Sequence, residues 1–91
     1  MPSERAHFIL DYDQITDVLY VYLEARVPSR AEEDDDGLIW TYRLDNGTPL
    51  GVTIVDYNDF WRSRRARLVS RMSEVFHFPA TVVDRELHVA E

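Results

Sequence analysis

Residues 37–56 read GLIWTYRL-DNGTP-LGVTIVD, two apolar strands set around Asp45-Asn46-Gly47. That turn is the strongest in the chain, because Gly47 and Asn46 tolerate the positive φ that tight hairpins require. Its loop length fixes which residues face each other. A two-residue loop sets Trp40 beside Thr53 and Thr41 beside Val52. A three-residue loop with Gly47 as the bulge residue pairs Leu38 with Ile54, Trp40 with Val52 and Tyr42 with Leu50. The second register gathers every large apolar side chain on one face and is the one expected. Pro49 cannot donate to a ladder, but beside the turn the loss is small.

Upstream, His7–Tyr12 and Val18–Glu24 have strand composition and flank the polar stretch Asp13–Asp17. In the second of these, Leu19, Val21 and Leu23 point one way and Val18, Tyr20 and Tyr22 the other. Arg26–Asp36 reads as a linking loop, with Pro28 inside it and the acidic run Glu32-Glu33-Asp34-Asp35-Asp36 at its end. Downstream, the pattern predicts a helix over about residues 58–76, capped by Asp56 or Asn58, with Asp59 in its first turn and Pro79 beyond its end. Trp61, Leu68, Met72 and Val75 share one helical face, with Phe76 at its margin. Within the tail, 77–91, Thr81-Val82-Val83-Asp84 reads equally as a strand start or as a helix start capped by Thr81.

These elements predict a single α+β domain over residues 1–91. It is a four-stranded antiparallel sheet of two hairpins, with one long helix packed on one face and a short C-terminal element. The second strand is apolar on both sides, whereas one helix shields one side of a small sheet. Tyr20, Tyr22 and their neighbours therefore need cover from the tail or from a second chain.

Composition narrows the chemistry. A domain of 91 residues buries only about 60–65% of its unfolded surface, which favours a supplementary subunit and so a homodimer. The absence of cysteine excludes disulfides, zinc–thiolate sites and cysteine nucleophiles. The formal charge of −7 is uneven. Residues 1–56 carry 12 acids against 4 arginines, net −8, and residues 57–91 carry 5 against 6, net +1. An acidic balance disfavours nucleic acid and fits a basic protein partner. No segment has the apolar core of a signal peptide or the roughly 18 apolar residues of a membrane span, so a cytoplasmic protein is expected.

Three motifs taken in order carry a resemblance. Tyr12-Asp13-x-x-x-Asp17-Val18-Leu19-Tyr20-Val21, then Glu32–Leu38 (EEDDDGL), then Asp45-Asn46-Gly47 with Leu50–Val55 together resemble the domain-of-unknown-function family 2283 over residues 8–56. The chain departs from that pattern in having Asp45-Asn46-Gly47 where Asp-Gly is usual. It also carries a long arginine-bearing helix and a tail that many members lack. The resemblance implies a small sheet domain, and an antitoxin-like role by association.

Candidate site residues fall into three groups. Asp13 and Asp17, with Asp11 nearby, and Asp34, Asp35 and Asp36 offer oxygen ligands for a hard cation such as magnesium or calcium. Their spacing is not that of a calcium loop, and aspartates beside strands also form turns by bonding their own backbone. Arg64, Arg67 and Arg71 form one helical stripe that suits a nucleic-acid contact, with Trp61 for stacking, or else pairs with the acidic loop. Glu32–Asp36, Tyr20 and Tyr22 are the candidates for binding a protein partner.

His7, His77 and His88 lack metal-ligand spacing. No nucleophile motif is present, and glycine only at 37, 47 and 51 leaves no phosphate-cradling loop. The first functional expectation is therefore a non-enzymatic protein-interaction module without a cofactor. A metal-binding protein or metal-dependent enzyme is the second, and nucleic-acid binding the third.

Overall fold

The hairpin expected from residues 37–56 is the centre of the fold. In a computed structural model, which describes residues 8–88, β4 (Leu38–Arg43) pairs antiparallel with β5 (Pro49–Val55). Leu38 faces Ile54 and Trp40 faces Val52, the register expected, but the loop is residues 44–47, four rather than three, closed by the Arg43 N–H donating to the Thr48 carbonyl at 2.9 Å. The register then shifts, so that Tyr42 faces Pro49 rather than Leu50. The slip absorbs Leu50 as an extra residue and keeps it buried next to the turn. Gly47 has φ +74, and its N–H bonds the Arg43 carbonyl at 2.9 Å.

The described residues form five strands, not four. Besides β4 and β5 these are β1 (Ile9–Asp13), β2 (Val18–Tyr22) and β3 (Ser29–Glu33), in the antiparallel order β1-β2-β5-β4-β3. The added strand, β3, lies inside the segment 26–36 read as a loop. It is exposed throughout, so it has no apolar alternation to announce it, and backbone pairing to β4 holds it. Its charges Arg30, Glu32 and Glu33 guard the free edge. The start of the first strand expected at His7 and the tail residues 89–91 lie outside the described residues.

The helix expected over 58–76 is broken at its start. After Asp56, itself left-handed at φ 58 and without a side-chain cap, Tyr57–Trp61 forms a π-helical turn and Arg62–Arg64 a 3₁₀ turn. The regular helix α1 spans Arg65–Phe76 and ends on His77 in the left-handed region. The tail resolves as a helix: α2, Ala80–Leu87, begins after Pro79. No helix among the described residues is long and apolar enough to cross a membrane.

One apolar cluster joins these layers. Leu19 and Val21 of β2, Leu38 and Trp40 of β4, and Val52 and Ile54 of β5 point to one side of the sheet. They meet Tyr57, Trp61, Leu68, Met72 and Phe76, and also Val83 and Leu87 of α2. Leu87 and Val83 are fully buried, and the Phe8 N–H donates to Glu86 Oε1 at 3.0 Å. Both helices thus cover the same face.

Candidate functional site

Alternation along five paired strands places a second set of residues on the other face. Reading the register across the sheet, Asp11 pairs with Tyr20, Tyr20 with Thr53, Thr53 with Ile39, and Ile39 with Glu33. The next row is Ile9, Tyr22, Gly51, Thr41 and Ala31, and on the opposite side of the central row Asp13, Val18 and Val55 lie together. Tyr20 and Val55 remain 41% and 40% exposed, although both sit on interior strands. The tail does not supply their cover, because α2 sits against the opposite face.

Two hollows interrupt this face. One, of about 440 Å³, opens beside Gly51, with Tyr22 and Thr41 among its lining residues. Gly51 has to be bare: a Cβ there would lie 2.4 Å from the Val21 carbonyl oxygen. The second hollow, of about 320 Å³, lies at the far end of β5 between Ile39, Val55 and Phe60, with Glu33, Asp36 and Asp56 at its border.

The expected metal ligands lie along one end of the sheet, in two separate turns, each occupied by hydrogen bonds. In the β1–β2 turn the Ile15 N–H donates to Asp13 Oδ1 at 3.0 Å. Asp17 accepts the Tyr12 hydroxyl at 2.7 Å and the backbone N–H groups of Asn58 and Asp59 at 2.8 and 3.0 Å. Asp17 therefore caps the π-helical turn from 41 residues away, in place of the local caps Asp56 and Asn58. The Tyr12 hydroxyl, followed by the Asn58 N–H, holds the Asp17 carboxyl below its usual range, and the same bond raises the Tyr12 phenol.

In the β3–β4 turn Asp34 accepts the N–H groups of Asp36 and Leu38, at 2.9 and 3.0 Å, and the Trp40 indole at 2.8 Å. It also accepts Arg71 at 3.1 Å. Burial pushes the Asp34 carboxyl up, but the Trp40, Leu38 and Arg71 bonds outweigh it and hold the group below its usual range. Among the described residues no three His, Asp or Glu side chains gather as a metal site.

The arginine stripe faces inward along the molecule's surface. Arg67 pairs with Asp36, and Arg71 bridges Asp34 and Glu74. Arg64 donates to the Phe60 carbonyl at 2.8 Å and stacks over the Phe60 ring. Trp61 is buried and has no face free for a base. The acidic run is divided in the same way: Glu32 pairs with Arg30, Asp34 and Asp36 bind arginines, and Glu33 and Asp35 stay exposed.

Of the residues expected to bind a partner, Tyr20 and Tyr22 belong to the open face and Glu33 to its edge. Ile39, Thr53 and Val55 join them through β-pairing, as does Asp11. The two-sided apolarity of β2 signalled the face, whereas its other members follow from strand order. Comparison with protein-family models, curated proteins and solved structures gave no significant match.

Proposed function

We infer that this chain is a non-enzymatic protein-interaction module that docks through the uncovered face of its sheet. One observation carries the reading: α1 and α2 both pack on the same side, leaving Tyr20, Ile39 and Val55 of three interior strands facing outward. Apolar and aromatic side chains on rigid strands, crossed by shallow hollows, suit a protein surface better than a small substrate, which is usually enclosed in a deep pocket. The titratable clusters support this assignment, since Asp13, Asp17 and Asp34 are committed to holding turns and helix starts. A second copy of the chain and a basic companion protein are the two candidates for the cover. The antitoxin-like form of the reading rests on the resemblance of residues 8–56 and supposes the companion.

Site-specific photo-crosslinking in the native cells tests the reading. A photoreactive phenylalanine analogue at position 20 or 55 is expected to give a discrete protein adduct. The same analogue at Ser70, exposed on α1, is expected to give none. If positions 20 and 55 behave like Ser70, the face is not a docking surface and the proposal fails.

A further inference from the structure

The central row of the open face ends in a carboxylate on each side: Asp11 on edge strand β1 and Glu33 on edge strand β3, with Tyr20, Thr53 and Ile39 between them. Neither acid has a hydrogen bond or ion pair among the described residues. Five strands span four spacings of about 4.8 Å, so the two carboxylates flank an apolar band about 19 Å wide.

A third unanswered acid, Asp56, borders the hollow beside Val55 and Phe60, where Arg67 neutralises only Asp36. Among the described residues the cations of this face, Arg26 and Arg43, lie toward the other end: Arg26 lines the Gly51 hollow, which Asp11 also borders, and Arg43 pairs with Ser29. Arg43 is already held there by Glu24 and Asp45.

This arrangement discriminates between occupants. A second copy laid face to face about a two-fold axis parallel to β5 brings Asp11 of one copy against Glu33 of the other. An axis across the strands through Thr53 brings Asp11 against Asp11 and Glu33 against Glu33, while turning Asp56 toward the end of the other copy that carries Arg26. Each symmetric arrangement sets like charges together at the margin of a desolvating apolar contact, which opposes association.

We propose, on the reading of this face as a docking surface, that its occupant is a basic amphipathic segment of another protein. Its apolar stripe covers Tyr20, Thr53 and Ile39. Arginine or lysine side chains on either side of that stripe meet Asp11 and Glu33, and another enters the hollow bordered by Asp56, its stem lying on Val55 and Ile39. Long basic side chains suit such a border, because their methylene stems bury on apolar surface while the heads reach the carboxylates.

The probe is a synthetic amphipathic peptide with a leucine stripe bordered on both sides by arginines. Its counterpart carries glutamate at every arginine position. Titrated into the isotope-labelled full chain, the arginine peptide is expected to move the amide resonances of Tyr20, Ile39, Thr53 and Val55, and the glutamate peptide to leave them in place. The double variant Asp11→Asn/Glu33→Gln is expected to weaken binding by about tenfold. Asp59→Asn/Glu74→Gln, which makes the same charge change elsewhere, is expected to weaken it by about twofold at most. All four positions are exposed, and far-UV circular dichroism checks that each double variant folds.

Equal weakening by the two double variants would reduce the effect to overall charge and overturn the proposal, as would equal binding of both peptides. A dimer of the chain alone that perturbs the same four resonances would assign the face to a second copy and overturn it too. If crosslinks form from positions 20 and 55 but the arginine peptide moves nothing, the docking reading survives and the basic occupant is refuted.

Discussion

Asp17 and Asp34 show how much one carboxylate can organise. Each collects hydrogen bonds from distant parts of the chain: Asp17 joins Tyr12 to Asn58 and Asp59, and Asp34 joins its own turn to Trp40 and Arg71. Truncating Asp34 to alanine leaves the Trp40 indole and the Leu38 N–H without their acceptor. Thermal unfolding of Asp34→Ala is expected to show a loss of about 2 kcal/mol, a fall in melting temperature of about 10 °C.

Both carboxyls titrate below the unfolded value of 3.8 in the folded chain. Their contribution is complete above that value and is lost as pH falls through the folded pKa, where the unfolded chain binds more protons. The wild-type melting temperature should therefore be level above about pH 5 and drop below about pH 4. The drop should be shallower in Asp34→Ala; an unchanged acid limb would remove Asp34 from this account. The sequence showed these aspartates as turn formers beside strands. It did not show what they cap, because the Asn58 and Asp59 amides reach Asp17 only through tertiary packing.

Among the elements, legibility followed burial. The β4–β5 hairpin was readable because Asn46-Gly47 sets its turn and Leu38, Trp40, Val52 and Ile54 alternate onto the core. β3 was unreadable because Ser29–Glu33 faces solvent throughout and is held by pairing alone. The helix was misread at its start, since the apolar stripe through Trp61, Leu68 and Met72 is continuous in sequence while the backbone passes through π and 3₁₀ turns before Arg65. The tail offered two readings, and its pattern of Val83 and Leu87 became meaningful only as an i, i+4 pair against the core. Leu87→Ala, in the last turn of α2, is expected to cost about 2–5 kcal/mol in chemical denaturation. A cost below about 0.5 kcal/mol, typical of a surface position, would show that α2 is an appendage and not part of the core.

At the scale of the molecule, one face is covered by both helices and the other is open, the face that the proposed function assigns to docking. That asymmetry separates stability from function. Tyr20→Ser combined with Val55→Ser should change the unfolding free energy by less than about 1 kcal/mol, with an unchanged denaturant m value, while abolishing crosslinking from the remaining open-face positions. A collapse of stability in this variant would instead make the face a structural necessity of the lone chain.

The order β1-β2-β5-β4-β3 also has a bearing on how the protein is made. Among the described residues β5 is the last strand to leave the ribosome, yet it fills the middle of the sheet, between two hairpins whose strands do not pair with each other. Until residues 49–55 emerge, β2 and the nascent β4 each carry an unpaired backbone edge and a bare apolar side, the state most open to mispairing with other chains. Translation products that stop short of Pro49 should therefore be chaperone clients or aggregate. Those that extend past Val55 can close the sheet in one step, around the strand that arrived last.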